Sequence, residues 1–287
     1  MGNIPHTAPV TSIFATCSDN GAARFDPSVP HLARVYAYWL GGKDHFPADR
    51  MVAEDVAEHR PHVVTGARAN RKFQARVVDY LARGPGIRQF LDVGAGLPPP
   101  GCTHQIAQAV ASQSRIVYAD YDPLVLARAR ARLTSGTRQG AIACTEADLR
   151  DPAGVLAAAA ATLDFSQPAA VLLLSILHFI RADEDPAAIV AALASGLAPG
   201  SFIAISHVTA DFAPQEVGAA ADTYNALMPT PVTARTHRQV TGLFGALALV
   251  PPGVVPISGW RPRPLEVQPR RADLYGGLAR TTASRRP

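Results

Sequence analysis

Between residues 89 and 206 the chain alternates short, nearly unbroken apolar runs with longer stretches in which alanine, leucine and valine recur at helical spacing. The apolar runs fall at 89–93, 115–119, 141–145, 170–175 and 202–206. A strand with one wet face would alternate apolar and polar residues, so these runs predict strands buried on both faces. A helical stretch follows each of the first four, which implies a mostly parallel sheet with helices over both faces. Near the C-terminus, 247–257 and 273–280 have strand texture with no helical pattern between them. Strands joined without a crossover helix pair antiparallel, so a seven-stranded sheet with an antiparallel C-terminal edge is expected.

The first part of the chain has a different texture. From His31, apolar and aromatic residues recur at helical spacing until Gly41-Gly42-Lys43-Asp44 interrupts them. A second helical stretch follows Pro47, and a third runs from about Ala67 to Leu81. These predict a helical cap over 25–83, ahead of a main domain over 84–281. Residues 1–24 lack periodicity and read as a disordered leader, and 282–287 as a basic tail. No internal repeat is visible.

Composition narrows the classes. A chain of 287 residues, 48% hydrophobic, can bury the core of one large domain. Uninterrupted apolar runs such as 169–174 are far short of a bilayer span, so no membrane partner is expected. The N-terminus has no basic-then-apolar segment, and His6 stands where a myristoylation signal needs Ser or Thr, so cytoplasm is the expected compartment. Cys17, Cys102 and Cys144 are widely spaced and predict neither a disulfide nor a metal site. The net charge of +4 is concentrated at the end, where seven arginines from Arg261 onward face only Glu266 and Asp273. A near-neutral body with a basic tail argues against a nucleic-acid channel.

In an open parallel sheet a ligand sits beyond the carboxyl ends of the strands, where the strand order reverses. The first strand runs into Asp92-Val-Gly94-Ala-Gly96-Leu97-Pro98, whose glycines allow a tight turn and close backbone approach to a ligand. A two-glycine turn alone fits several nucleotides, or none. A dinucleotide site needs a third glycine and free N–H groups facing a pyrophosphate. Pro98-Pro99-Pro100 removes three such donors, which disfavours NAD and FAD and suits a ligand without phosphate such as S-adenosylmethionine.

The later strand ends supply acids and histidines. Asp120 is placed to accept hydrogen bonds from both ribose hydroxyls, and Tyr121 to flank the adenine. Asp122 precedes Pro123 and reads chiefly as a helix N-cap, with a second ribose contact as the alternative. Asp148 can meet an adenine amino group and the Leu149 amide a ring nitrogen, whereas Asp151-Pro152 repeats the N-cap pattern. The fourth strand leads through Ser175 to His178, and the fifth to His207. Neutral imidazole, with an ordinary pKa of about 6.5, can accept a proton at cellular pH. Both histidines are therefore candidate general bases, and both are also readable as hydrogen-bonded structural residues.

Seven segments give the chain a family likeness: ARVYAYWLGGKDHF (33–46), ARANRKF (67–73), GIRQFLDVGAGLPPPG (86–101), VYADYDPLVLARAR (117–130), EADLRDP (146–152), LHFI (177–180) and LYGGLAR (274–280). They resemble a bacterial family of S-adenosylmethionine-dependent methyltransferase-like proteins long catalogued as a domain of unknown function. The likeness spans almost everything from Pro27 to Arg280. It implies an α/β, Rossmann-like class I methyltransferase fold in which Gly94, Gly96, Asp120, Asp148 and the Ser175 region hold S-adenosylmethionine, and Leu97, Tyr121 and Leu149 stand beside these as candidate cofactor contacts. It also implies that the tract with Gly41, Gly42, Lys43 and Asp44 closes over the site, and that Arg71 or Arg68 meets the methionine carboxylate. Where the family carries Thr, Asn and Glu, this chain has Pro99, Cys102 and Gln105, which puts affinity or turnover in question.

Methyl transfer relies largely on in-line positioning, so no catalytic motif is expected. The favoured function is methylation of a small molecule at oxygen or nitrogen, with acceptor contacts from the N-terminal helices and from 209–237, a stretch readable as a lid or as an ordinary connection. The alternatives are a non-catalytic S-adenosylmethionine-binding regulator or partner subunit, and a nicotinamide-dependent oxidoreductase.

Overall fold

The computed structural model describes residues 26–98, 100–269 and 271–282. The expected leader, Pro99 and all but Thr282 of the expected tail lie outside the described residues. Strands β1 (Gln89–Val93), β2 (Arg115–Asp120), β3 (Ala141–Glu146), β4 (Ala170–Leu174) and β5 (Phe202–Val208) form where the apolar runs predict them, all mutually parallel. The C-terminal edge differs from expectation. Residues 247–257 do not make one strand: two-residue strands β6 (Ala248–Leu249) and β7 (Val255–Pro256) flank a turn through Pro251, Pro252 and Gly253, the last at φ +88°. Consecutive prolines lack the N–H groups that a continuous ladder needs. Both short strands pair antiparallel with β8 (Leu274–Arg280), giving eight strands in the order β3-β2-β1-β4-β5-β8-β6 with β7 also on β8.

Helices α4 (Thr103–Val110) and α5 (Pro123–Arg132) connect β1, β2 and β3, and α6 (Pro152–Ala159) carries the chain back to β4. The order therefore reverses between β1 and β4, which marks the crevice where a ligand binds in such sheets. Proline at N1 behind a capping aspartate starts α5, α6 and α7 (Pro186–Ser195). Asp122 accepts from the Leu124 and Val125 amides, Asp151 from Gly154 and Asp185 from Ala188.

Alternate strand residues feed two cores. Leu91, Val93, Leu173 and Ile205 bury with α6, α7 and α9 (His237–Gly242) on one face. Phe90, Ile116, Leu172 and Ala204 bury on the other with α4 and with α3 (Val63–Arg83). Helix α3 contributes Phe73, Val77, Val78 and Leu81, and Trp260 meets the Phe73 ring edge-on at 5.4 Å. A third core joins α1 (Leu32–Trp39) and α2 (Pro47–His59) to α8 (Pro214–Leu227), through Val35, Val52, Val56, Ala220 and Tyr224. So the stretch after β5 supplies a helix to the cap. Its apolar residues Val217, Ala220 and Tyr224 already stand three and four apart.

Cap and sheet are also joined by charge. Arg60, the residue after α2, is buried with its Nε 3.1 Å from Asp273, and its Nη2 donates to the Ala272 carbonyl at 3.3 Å. Asp273 is fully buried just before β8 and also accepts from Arg271 Nε at 2.6 Å. Asp273→Asn keeps a residue that tolerates the left-handed backbone (φ +47°) but removes the charge opposite Arg60. We expect a loss of about 3 kcal/mol in urea denaturation, the low end for stripping a buried pair of one partner. A loss below about 1 kcal/mol would mean that the pair does not hold the cap in place.

Candidate functional site

The loop after β1 is shaped by two left-handed glycines, Gly94 at φ +68° and Gly96 at φ +62°, for different reasons. A Cβ at Gly94 would lie 2.6 Å from the Ile176 side chain, so packing between the β1 and β4 loops demands glycine there. A Cβ at Gly96 would meet nothing closer than the Ala33 methyl at 4.0 Å, so Gly96 borders open space beneath α1. The Gly96 amide donates to Asp120 Oδ2 at 3.0 Å and the Asp122 amide to Oδ1 at 3.1 Å. Asp120 thus braces the loop, while each carboxylate oxygen keeps further capacity to accept. Burial raises its pKa, and the two amides pull it back.

Asp122 has a structural post. Besides capping α5 it lies 2.8 Å from His31 Nε2, and His31 Nδ1 in turn accepts from the Ala33 amide at the start of α1. With Nδ1 accepting, the neutral ring carries its hydrogen on Nε2, the nitrogen that approaches Asp122. The tract after α1 also reaches α5: Asp44 forms an ion pair with Arg132. Gly42 itself closes α1, its amide donating to the Ala37 carbonyl at 2.8 Å.

Helix α3 turns a polar stripe toward the strand ends. Ala67, Asn70, Arg71 and Gln74, spaced three or four apart, all line the crevice. Gln74 Nε2 donates to the buried Asp92 at 3.0 Å, and Thr103 Oγ1 donates to the same oxygen at 2.6 Å. Burial pushes the Asp92 carboxyl up, while Thr103, Arg71 and Gln74 draw it down. Arg71 and Asp92 thereby bring opposite charges to one end of the crevice. Ser206 Oγ donates to Asn70 Oδ1 at 2.6 Å and accepts from the amide of Ser175, whose φ is +54°. Asn70 Nδ2 reaches Tyr36 OH at 3.0 Å, which completes a buried polar line from β4 to α1.

The start of α4 is sealed by the chain's own acceptors. Gln105 Oε1 takes the Gly101 and Cys102 amides at 2.8 and 3.2 Å, and Tyr118 OH takes the His104 amide at 3.0 Å. Those donors are not free for a pyrophosphate. Gln105, one of the departures noted above, works here as a helix cap.

A cavity of about 140 Å³ runs from Gly94–Gly96, Arg71 and Asp92 past Ser175 to His178, Phe179 and Tyr224. Its far walls come from α1, α2 and α8, including Val35, Trp39, Val56 and Val217. A smaller cleft shares Arg71, Gln74, Asp92 and Gly96 with it and continues to Asp120. His178 sits in a short 3-10 turn, Leu177–Phe179, and its buried Nδ1 has no hydrogen-bond partner. Burial first, then His207, Arg60 and Arg235, hold its pKa well below the usual value, so the ring is neutral at pH 7.

His207 occupies a different place from the one its sequence position implied. It is fully buried, does not line the cavity and has both ring nitrogens engaged: Nδ1 donates to the Val208 carbonyl at 2.7 Å, and Nε2 accepts from Arg235 Nη1 at 2.8 Å. Burial pushes its pKa down to about 3. The expectation of a base at His207 is therefore corrected to a brace. Arg235, which sequence reading missed, also donates to the Leu177 and Ile180 carbonyls and so holds the turn that presents His178.

Other predicted residues lie at the margin. Tyr121 is 41% exposed, its ring 6.1 Å from His31. Asp148 accepts from the Arg150 amide at 2.9 Å and keeps an exposed carboxylate, whereas the Leu149 side chain is buried in the core. Leu97 and Arg68 do not line the cavity. Among the described residues no group of three or more His, Cys, Asp or Glu is arranged to hold a metal, and no helix is long and apolar enough to cross a membrane.

Fold and site together define a Rossmann-like class I methyltransferase, with S-adenosylmethionine as its cofactor. Residues 18–282 match the S-adenosyl methyltransferase family, and the chain belongs to that family. It is similar to a DUF574-family protein from Streptomyces avermitilis at 41% identity, covering 90% of this chain and all of that one, with a TM-score of 0.86. A candidate methyltransferase from Thermobifida fusca is 37% identical over 89% of this chain and 96% of its own, with a TM-score of 0.80. The CurJ carbon methyltransferase, at 13% identity and a TM-score of 0.51 over 75% of this chain and 54% of its own, shares the fold. A search among curated proteins found no match.

The residues fit that cofactor. The open side of Gly96, the Asp120 carboxylate and the Arg71–Asp92 pair offer room, a ribose acceptor and charges complementary to a zwitterionic methionine end. Asp120→Ala should weaken S-adenosylhomocysteine binding in calorimetry by at least about 1 kcal/mol, the scale of one hydrogen bond. Gly94→Val, which drives a side chain into Ile176, should mainly lower the unfolding midpoint. Unchanged binding by folded Asp120→Ala would remove Asp120 from the site.

Proposed function

We propose that the protein transfers a methyl group from S-adenosylmethionine to an oxygen or nitrogen atom of a small molecule held beneath the helical cap. The observation that carries this is the single cavity joining the glycine loop to His178. In this reading Asp120 holds the ribose, and Tyr121, Asp148 and the Leu149 amide border the adenine. Arg71 and Asp92 take the methionine carboxylate and ammonium, while Ser175 flanks the methionine chain. The bound cofactor supplies an electrophilic methyl group on a sulfonium.

His178 then accepts the proton of the acceptor O–H or N–H as the methyl carbon bonds to that atom. Its neutral state suits that task. Positioning does much of the remainder, with α1, α2 and α8 holding the acceptor in line and excluding water.

Two measurements test this. Calorimetry should detect S-adenosylmethionine and S-adenosylhomocysteine binding, and a mass-spectrometric acceptor screen should yield a product in which CH3 replaces one hydrogen of the acceptor. Binding without methylation of any acceptor would favour a non-catalytic regulator. With an active acceptor, kcat/KM should stay level as pH falls through about 6.5, because the lowered His178 pKa moves the acid limb below the ordinary histidine value. A limb at or above that value would remove His178 as the base.

A further inference from the structure

We infer that the acceptor is an uncharged, compact, largely apolar ring compound carrying two oxygen functions, a hydroxyl methylated beside His178 and a second oxygen that meets the Tyr224 hydroxyl. The inference rests on the transferase reading above and adds the chemistry of the acceptor.

The acceptor half of the cavity is walled by ring faces and aliphatic side chains. Trp39, Val35, Val56 and Val217 come from three cap helices, and Phe179 and Tyr224 stand with ring centroids 6.0 Å apart at 35°. A flat apolar ligand covers such walls without stranding polar groups. Closure by α1, α2, α3 and α8 as well as the sheet suits a small molecule better than a segment of a polymer.

Charge in this half is already balanced. Arg60 lines the cavity but pairs with Asp273, which also takes Arg271, and Arg271 pairs with Glu216 at 2.6 Å. Two guanidiniums face two carboxylates, so a charged acceptor would enter without a counter-ion and bear a desolvation cost. Arg71 and Asp92 stand at the opposite end, beside the glycine loop.

Two polar atoms in this half are buried and unpartnered, His178 Nδ1 and Tyr224 OH. Both residues are at least nine-tenths buried and both line the cavity. A buried polar group left unpaired is costly, and a ligand oxygen at each would relieve that cost. Tyr224 lies on α8 and His178 after β4, so the two contacts grip a ring from separate elements. In the reaction the acceptor O–H bond breaks and an O–CH3 bond forms. The proton passes to His178, and the pair of the broken S–CH3 bond stays on sulfur, leaving a neutral thioether.

The test uses the full chain with S-adenosylmethionine and defined probes: phenol and 1-naphthol with one hydroxyl, resorcinol and 1,3-dihydroxynaphthalene with two, and benzoate and ethanolamine as charged compounds. Methylation of the dihydroxy probes is expected with kcat/KM about 10-fold above the monohydroxy ones, the effect of one well-placed hydrogen bond. Tyr224→Phe should abolish that preference by raising KM for the dihydroxy probes while leaving kcat nearly unchanged. It deletes only a hydroxyl without a protein partner, and an unchanged unfolding midpoint will check that it folds. Turnover confined to charged probes, or a preference that survives Tyr224→Phe, overturns the proposal. If S-adenosylhomocysteine binds in calorimetry but no uncharged probe is methylated, the acceptor class is wrong while the cofactor site stands. If S-adenosylhomocysteine does not bind, the transferase reading fails as well.

Discussion

Helix α3 has to satisfy two neighbours at once, and the site follows from that constraint. Phe73, Val77, Val78 and Leu81 bury against the sheet, which fixes the rotation of the helix about its axis. At 3.6 residues per turn, the same rotation carries Asn70, Arg71 and Gln74 to the ends of β1, β4 and β5. Gln74 then meets Asp92, Asn70 meets Ser206, and Arg71 lies over the glycine loop. Apolar packing supplies the larger free energy, while the polar contacts fix register, because misplacement by one turn would take Gln74 from the buried Asp92 and Asn70 from the buried Ser206.

The cap depends on that placement through a small set of buried polar contacts. His31–Asp122 fastens α1 to the start of α5, Tyr36–Asn70 fastens it to α3, and Arg60–Asp273 fastens α2 to β8. Asp120 and Asp122, two residues apart, divide the work: one braces the glycine loop while the other caps α5 and holds the cap. The glycine loop and the cavity under the cap are therefore parts of one connected structure. A change at the cap seam should be felt at the loop, since Ala33 is the nearest neighbour to the open side of Gly96.

Much of the fold was legible because its causes are local. Strands buried on both faces must be apolar throughout, and Asp-Pro pairs announce α5 and α6. The divided strand was also written in the sequence, in Pro251-Pro252, but the surrounding valines and leucines outweighed it. Helix α8 was obscured by the prolines around it, although Val217, Ala220 and Tyr224 kept helical spacing. The shape of the candidate site was legible where local turn chemistry defines it, as at Gly94 and Gly96. It was not legible where distant residues meet: nothing in sequence spacing joins Arg235 to His207 and to the turn bearing His178, or Gln74 to Asp92. The polar residues interrupting the apolar stripe of α3 were the available sign, since a solvent-facing helix surface would carry them on the opposite side.

The central claim is that the cleft at Asp120 and the adjoining cavity walled by His178 and Tyr224 together hold cofactor and acceptor in line. A crystal structure of the complex with S-adenosylhomocysteine tests it most directly. The account predicts adenosine against Asp120, the amino-acid end between Arg71 and Asp92, and sulfur facing the cavity walled by His178 and Tyr224. Sulfur directed away from that cavity, or ligand bound elsewhere on the molecule, would contradict it.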